Sequence, residues 1–348
     1  MTMDKWYEKP ACNIGTVICG QVCVIRNAAG YPFAHRMNAQ QKQELVQAAA
    51  RAIAQSDKLS ALQMEFYDLR DYTDTMKERM ISRLIIPPFM IEEGSPVQVF
   101  VTPDESISII LGGSEHICIQ VSTPGKTVLE AYNTANMIDD ELNRTIPYAW
   151  NSKYGYLTEN PVYTGTGLSV SYMLHMPYME RKQKTAKYTR ELGQLGFLLN
   201  EHFKGKTFAP GDIFRIRNRK TLGLSEGEIL SALEQLTAMI ASREENERNR
   251  QLEEQELSET NRICRGYGIL KYARCLGYNE AMTCLSGART GDNAGLWNSD
   301  VPVGAFAAML HMDDCEFQND QKTFTKQEIA AARSRYVRKN LPEIELQI

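Results

Sequence analysis

The sequence has no long apolar run and no excess of positive charge. Its longest apolar stretches, such as Ile107 to Leu111, are far shorter than the roughly 20 residues of a membrane-spanning helix. The N-terminal residues MTMDKWYEKP are polar and charged, so they predict no signal peptide. A net charge of −4 argues against the broad basic face of a nucleic-acid-binding protein. We therefore expect a cytoplasmic protein with neither a membrane nor a nucleic acid as its partner.

The eight cysteines include no C-x-x-C pair, which argues against a zinc ribbon. In a protein that is not exported, cysteines are ordinarily reduced thiols. We therefore predict no disulfide framework, and small apolar filling of the interior is the usual role of such residues.

The pattern of apolar residues predicts an α+β fold. A helix is predicted to begin after Asn38, a residue type that caps helix N-termini, and another covers Val128 to Asn143. Gly112 and Gly113 separate two strand-like stretches and predict a hairpin. The predicted strands are Val17–Arg26, Val97–Val101, Ser106–Leu111, His116–Val121 and Asp212–Arg217. Together these elements predict a mostly antiparallel sheet flanked by helices.

The character of the chain changes after Leu222. From Ser225 to Ser258 the pattern is helical, and its charge-dense half, SREENERNRQLEEQELSE, predicts a solvated helix face. Beyond Thr260 the pattern is helical throughout. We therefore predict two domains, residues 1–252 containing the sheet and residues 253–348 forming a helical domain.

A set of short strings in a fixed order carries a more specific signal. They are DESISI (104–109), EHICIQ (115–120), NMIDDELN (136–143), YGYLTENP (154–161), TGTGLS (164–169), MLHMP (173–177), GDIFRIRN (211–218) and TLGLSE (221–226). Their order and spacing resemble the bacterial protein-arginine kinases, which belong to the ATP:guanidino phosphotransferase, or phosphagen kinase, family.

The C-terminal strings RICRGYGIL and CLSGARTG resemble a helical domain that those kinases have and that creatine and arginine kinases lack. The resemblance spans roughly residues 5 to 340. It implies a phosphagen-kinase-like antiparallel sheet flanked by helices, followed by an all-helical C-terminal domain. It also implies that the family's cofactor is Mg-ATP.

The resemblance assigns five arginines of the family to the phosphates of ATP, and this chain has none of them. A guanidinium fork grips phosphate at two points, so each loss removes a charge-assisted contact of about 1.5–3 kcal/mol. The first two belong to a strand that reads Cys19-Gly20-Gln21-Val22-Cys23 in this chain. The five substituted positions are Gln21, Cys23, Cys118, Ser169 and Asn200. We therefore expect no cofactor, although Lys204 and Lys206 lie near the fifth position and offer weaker point charges.

The catalytic groups implied by the resemblance are also missing. The family's adjacent acidic residues fall at Gly113 and Ser114, and Glu115 aligns with the aspartate beside that pair. A slip of one residue in this comparison would make Glu115 a surrogate base, which is the alternative interpretation of the segment. The glutamates that hold the substrate guanidinium fall at Gly205 and Phe208, whose side chains accept no hydrogen bond. No catalytic residue is therefore assigned.

Two further sites are weighed. The family's Arg-Asp-x-x-Arg-Ala string, which reads phosphoarginine, falls on residues 327–332, QEIAAA, so this allosteric site is predicted to be silent. Cys19 and Cys23 share a strand face, and Cys118 replaces an arginine that converged on the same phosphates. Three thiols there would suit a soft metal, but their spacing gives little support, so no metal is predicted.

The sequence therefore predicts a protein-arginine-kinase-like pseudokinase, a non-catalytic regulator or scaffold in protein quality control or stress response. Its partners would be an active kinase of the same family, that kinase's activator protein or protease-unfoldase partners. The alternative is a divergent but active kinase that transfers the γ-phosphate of ATP to arginine in proteins.

The helical domain is also expected to form a homodimer, because the resemblance implies it and an apolar helix stripe needs a partner surface. Light scattering at micromolar concentration should give twice the mass of the 39.4 kDa chain. A strict monomer at that concentration would contradict this prediction.

Overall fold

The computed structural model describes residues 4–91, 97–125, 128–203, 209–298, 302–318 and 324–346. An eight-stranded antiparallel sheet has the order β2-β3-β4-β5-β1-β8-β10-β9. Its strands are β1 Val17–Arg26, β2 Glu65–Asp68, β3 Gln98–Val101, β4 Ile107–Leu111, β5 Ile117–Pro124, β8 Leu168–His175, β9 Phe197–Glu201 and β10 Ile213–Asn218. Two short pairs lie outside it, β6 Trp150–Asn151 with β7 Gly155–Tyr156 and β11 Trp297–Asn298 with β12 Glu345–Leu346.

Helices surround the sheet and form most of the C-terminal region. They are α1 Pro10–Asn13, α2 Ala39–Gln55, α3 Asp57–Ser60, α4 Asp74–Ser82, α5 Val128–Asn143, α6 Pro177–Arg181, α7 Thr185–Gln194, α8 Glu226–Tyr272, α9 Tyr278–Ala294, α10 Ala305–Leu310 and α11 Lys326–Asn340. The predicted architecture, a sheet flanked by helices and followed by a helical region, is confirmed, with β11 and β12 as a small non-helical addition.

Residue chemistry accounts for the starts of the main helices. The Asn38 side chain accepts a hydrogen bond from the Gln41 amide, as predicted for the cap of α2, and the Asn38 amide donates in turn to Oε1 of Gln41. Ser225 and Glu228 form the same reciprocal arrangement at the start of α8. These caps satisfy backbone N–H groups that the first helical turn leaves without partners.

One face of the sheet carries the main hydrophobic core. Val22 and Val24 of β1 are buried in it together with Phe214 and Ile216 of β10. Ala131, Ala135, Ile138 and Leu142 of α5, the stripe that the 3.6-residue period predicts, belong to the same core. Because side chains alternate along a strand, the odd-numbered residues of β1 from Cys19 onward and those of β10 lie on the opposite face, whereas Val17 precedes an irregularity of the register and packs in the main core.

A second core joins that opposite face to the helical region. Cys19, Met173 and Ile213 from three neighbouring strands pack with residues of α9 and α10. Nearby, the Ser286 hydroxyl lies 2.8 Å from Nε2 of His175 and donates to Asp212 at 2.5 Å. The helical region is therefore anchored to the sheet by apolar packing and by this buried polar chain.

Helix α8 connects the two regions as one element of 47 residues. Its backbone leaves helical geometry at Gln255, where φ is −139° and ψ is 41°. This irregularity lies close to the predicted boundary between residues 252 and 253. The division into two domains stays a prediction, because the same helix packs against both regions.

The charge-dense half of α8 is less solvated than predicted. Glu244 is buried and accepts hydrogen bonds of 2.9 Å from the amides of Tyr178 and Met179, the first turn of α6. Glu259 is also buried and pairs with Arg181 at 2.8 Å. Two members of the charge run therefore bind α6, Glu244 as a cap at its first turn and Glu259 through an ion pair with Arg181. These roles depend on tertiary contacts that the sequence pattern does not reveal.

Among the residues that the structure describes, no helix combines the length and the apolar character needed to cross a bilayer.

Glu244 should make folding pH-dependent. Burial raises the pKa of Glu244 to about 7. The negative charge of Asp212 also raises this pKa, whereas the hydrogen bonds from the two α6 amides and the positive charge of Arg181 lower it. The folded protein then binds more protons at this site than the unfolded chain between roughly pH 4.5 and 7, so this contribution to stability grows as pH falls through that window.

Urea unfolding of the wild type and of Glu244→Gln across pH 5 to 7.5 would measure this effect. The wild type should gain stability relative to the variant as pH falls. Glu253→Gln, an exposed position of the same helix, should run parallel to the wild type. Parallel curves for Glu244→Gln would contradict the assignment.

Candidate functional site

A cleft of about 560 Å³ lies on the sheet face opposite the main core. Its volume is in the range of pockets that hold small ligands. Polar side chains of the sheet line one side, the segment after α4 lines another, and Tyr278 and Asp313 of the helical region complete it. The sheet and strand-end residues are Gln21, Gln120, Asn200, Glu201, His202, Phe203, Arg215 and Arg217, and the apolar wall contains Ile81, Leu84, Ile86, Pro87 and Pro88.

The strand register brings the five substituted positions onto this face. Cys23 lies opposite Ser169 of β8, and Asn200 of β9 lies opposite Arg215. Cys118 lies on β5, the strand next to β1, two positions from Gln120, which is the residue paired with Cys23. The face thus carries amides, a hydroxyl and thiols at these five positions. Gln21 and Asn200 line the cleft itself.

Gln21 is held by a hydrogen-bond chain within the protein. Its amide nitrogen donates to the Ser122 hydroxyl at 2.9 Å, and its oxygen accepts from Nη2 of Arg215 at 2.7 Å. Gln120 is similarly occupied, since its amide nitrogen donates to the carbonyls of Leu84 and, at 3.2 Å, Ile85. The amides on this wall are therefore largely satisfied by the protein.

Cys23 and Cys118 approach each other, and Cys19 does not join them. The thiol of Cys118 donates to Cys23, and this hydrogen bond is the main reason that the pKa of Cys23 is lowered, while burial opposes it. Cys19 instead lies in the second core, where burial raises its pKa well above the ordinary value. Across the described ranges no three metal-ligating side chains come together, so the three-thiol site considered above has no support.

The β4–β5 turn leaves no room for a side chain at Gly113. A Cβ atom there would lie 2.2 Å from the backbone carbonyl oxygen of Met90, well inside van der Waals contact. The neighbouring Ser114 hydroxyl donates to the Phe89 carbonyl at 2.7 Å. The segment around Phe89 and Met90 thus fills the space beside both positions where the resemblance places acidic residues.

Glu115 points away from the cleft into a buried polar cluster. Its carboxylate accepts hydrogen bonds from Asn27 Nδ2 at 2.6 Å and from the amides of Glu159 and Asn160 at 3.0 and 2.9 Å. Burial raises its pKa. It lines a separate cavity of about 380 Å³, bounded also by Phe89, and is absent from the lining of the larger cleft.

His116 extends the same cluster. Its Nδ1 accepts from the Ala28 amide at 3.0 Å, which leaves Nε2 as the donor to the Pro32 carbonyl, and burial lowers its pKa. The Asn27 side chain accepts from the His116 amide at 2.9 Å. This cluster therefore connects β1, β5 and the loop at residues 159–160 through the side chains of Glu115, His116 and Asn27. These side chains stabilise the fold.

Two cleft residues that the sequence analysis did not assign are Arg215 and Arg217. They occupy alternate positions of β10 and share its cleft face. The signal was present in the string FRIRN, because an Arg-x-Arg pair in a strand places both guanidinium groups on one side. The resemblance places none of its five functional arginines on this strand, so Arg215 and Arg217 were not assigned to the site.

Several predicted positions lie elsewhere. Lys204, Gly205, Lys206 and Phe208 fall outside the described residues. Residues 327–332 lie in α11, where Ile329 is buried. The next residue along, Arg333, is also buried and donates to the carbonyls of Met312 and Leu276.

Comparison with known proteins identifies the class. The sequence profile described as ATP:guanido phosphotransferase, C-terminal catalytic domain, matches residues 44–247. The chain therefore belongs to the ATP:guanido phosphotransferase family. Lombricine kinase has the same fold, with a TM-score of 0.56 at 19% identity over 66% of each chain. A duplicated taurocyamine kinase from Schistosoma mansoni superposes with a TM-score of 0.58 at 16% identity, over 66% of this chain and 33% of that one.

Within that class the chain belongs with the protein-arginine kinases. Residues 255–347 match the profile described as Protein-arginine kinase McsB C-terminal domain. The protein-arginine kinase of Desulforamulus reducens is 32% identical over 88% of this chain and 86% of its own length. That of Symbiobacterium thermophilum is 32% identical over 83% and 82%, respectively. The family resemblance of the sequence is thus confirmed.

The Gly113 contact predicts that even one methyl group at this position destabilises the fold. Gly113→Ala should lower the free energy of unfolding by about 2 kcal/mol or more, because the obstructing atom belongs to the backbone and cannot rotate away. Gly193→Ala in α7 is the matched control, since its Cβ would meet no atom within 4 Å.

The control should be neutral or more stable by up to about 1 kcal/mol, as expected for alanine in a helix. Urea unfolding of the two variants beside the wild type measures the difference. Equal midpoints for Gly113→Ala and the wild type would contradict the contact.

Proposed function

We propose that this chain is a non-catalytic member of the protein-arginine kinase family that acts as a regulator or scaffold. The observation that carries the proposal is the β4–β5 turn. A carboxylate that accepts a proton must stand within hydrogen-bond reach of the reacting group. Gly113 has no space for one, Ser114 is bonded to the Phe89 carbonyl, and Glu115 is enclosed by three donors.

The phosphate-binding face supports the same proposal. Phosphoryl transfer depends on positive charge placed around the transferring group and the leaving oxygen. The five positions considered carry Gln21, Cys23, Cys118, Ser169 and Asn200, all uncharged when the thiols are protonated. The residues present do not reproduce the charge that Mg-ATP needs for transfer, so we assign no step through it and expect weak ATP binding.

The arginines of β10 are the observation that favours the alternative. Arg215 and Arg217 bring two positive charges to the cleft from a strand that the family's five arginines do not use. A divergent phosphotransferase would need such charge. It would also need a base, and among the described residues the acidic groups lining the cleft are Glu78, Glu201 and Asp313, all of them exposed.

A scaffold needs a surface for its partner, and α8 offers one. Leu257 and Tyr272 are 84% and 74% exposed, and Ile269 is 37% exposed. Ile269 and Tyr272 are three positions apart and therefore neighbours on the helix surface, and apolar side chains exposed together favour a protein contact. The partner is a second copy of this chain or, as proposed from the resemblance, an active protein-arginine kinase, its activator protein or a protease-unfoldase in protein quality control.

The activity test is transfer of radiolabel from Mg-ATP to arginine residues of casein, with the Desulforamulus reducens protein-arginine kinase as the positive control. The wild type should form no acid-labile phosphoarginine. Cys118→Arg should also form none, because groups that stabilise one transition state do not compensate singly.

Transfer by the wild type would overturn the proposal and favour the alternative. Glu115→Gln would then ask whether Glu115 is the base. The unfolding curve of the Glu115→Gln variant must first match that of the wild type, because Glu115 anchors a buried cluster and its replacement can destabilise the fold. Calorimetry giving a micromolar dissociation constant for Mg-ATP would contradict the expected weak binding.

A further inference from the structure

The two arginines of β10 form an unusual pair. Successive odd positions of a strand lie about 7 Å apart on the same face. The guanidinium groups of two such arginines can therefore both contact one small chemical group placed between them. Arg215 and Arg217 make no ion pair within the described parts of the chain. Like charges this close oppose each other, and burying them without a counter-charge costs stability.

Arg215 has hydrogen-bonding capacity left over. Nη2 donates to Gln21 Oε1 at 2.7 Å, while Nε is buried and has no partner among the described residues. Burial lowers the pKa of its guanidinium, and the adjacent positive charge of Arg217 lowers it further. A buried donor without an acceptor is uncommon in folded proteins, and it leaves the hydrogen-bonding capacity of Arg215 incompletely satisfied by the protein.

Arg217 is half-buried, lines the cleft, and makes no hydrogen bond within the described residues. His202, on the same wall, has its pKa lowered well below the ordinary value by burial and then by Arg215, so it is neutral there. Both observations leave the two guanidinium groups on this wall without a direct ion-pair partner among the described residues. The exposed acids Glu201, Glu78 and Asp313 lie on the lining without pairing with either arginine.

We propose that this cleft binds a small molecule with a single dianionic phosphate group, held between Arg215 and Arg217. Two positive charges match the two negative charges of a phosphate monoester, and each guanidinium fork binds phosphate oxygens in a bidentate manner. Asn200, directly opposite Arg215 in the sheet, offers a further amide donor. The ligand is bound and not transferred, so this inference rests on the proposed non-catalytic function and deepens it.

The apolar wall of the cleft indicates what the phosphate is attached to. Leu84, Ile86, Pro87 and Pro88 line the same cavity of about 560 Å³ as the two arginines. Such a wall gains free energy by covering an apolar or aromatic group. An aromatic phosphate monoester therefore fits both sides of the cleft, with the phosphate on β10 and the ring against the prolines.

Calorimetry with inorganic phosphate and with phenyl phosphate at pH 8, without ATP, tests the site. Both should bind the wild type, and phenyl phosphate should bind more tightly. Arg217→Gln should weaken both by about tenfold or more, the loss expected for one charge-assisted contact. Arg219→Gln is the matched control, because it removes the same charge from an exposed residue that does not line the cleft.

Each outcome decides the proposal. Absence of phosphate binding by the wild type, or unchanged binding by Arg217→Gln, would overturn it. Micromolar binding of Mg-ATP that exceeds the affinity for phenyl phosphate would assign the cleft to nucleotide and overturn it too. Should Arg217→Gln fail to fold, Arg215→Lys, which keeps the charge and loses the fork, should weaken phosphate binding several-fold. Phosphoryl transfer is measured separately, so failure of this site leaves the activity result unaffected.

Discussion

The antiparallel register of β1 with β5 and β8 is the constraint on which the rest of the structure depends. It fixes Gln21 opposite Ser122 on one side and opposite Ser171 on the other. Because a strand alternates its side chains, this register sends Val22 and Val24 to the main core, while Gln21 and Cys23 take the opposite face, where Gln21 lines the cleft. A slip of one residue would place the Gln21 amide in the apolar core and move the valines to the face that carries the cleft.

Buried polar contacts then fix the sheet to the elements around it. Arg26 pairs with Asp139 of α5 at 2.8 Å, and both side chains are almost fully enclosed. Its guanidinium also lies 3.5 Å from the centre of the Tyr156 ring. Removing one partner of such a pair leaves an uncompensated buried charge, which is more damaging than the pair itself is stabilising. Asp139 and Tyr156, which belong to two of the strings that carry the family resemblance, therefore serve the fold.

Much of the fold follows from the sequence, because its signals are local. The asparagine cap and the apolar stripe predicted α2 and α5, and the bounds of α5 match at both ends. The central strand β8 was not predicted, although LSVSYMLH is rich in strand-forming residues. Glu244 was read as solvated because a charge run looks the same whether or not one member caps another helix.

The cleft could be predicted only in part. The strand register brings the five substituted positions named from the resemblance onto one face, and Cys19 packs in the second core. The charge brought by Arg215 and Arg217 was visible as an alternating pair but had no counterpart in the resemblance to call attention to it. The contact between Gly113 and Met90 joins segments more than 20 residues apart, and no local pattern encodes it.

That contact has a consequence for the history of the protein. A single substitution at residue 113 meets a backbone carbonyl, so a carboxylate cannot return there unless the chain around Met90 moves first. Movement of that chain alone breaks the Ser114 hydrogen bond to Phe89 and opens a gap, with no gain until the second change arrives. The movement of the backbone around Met90, which is unfavourable by itself, has to come before the substitution at residue 113. The turn therefore opposes any side chain at that position. Under the proposed non-catalytic function, variants of this chain can change what the cleft binds far more readily than they can place an acidic side chain at residue 113.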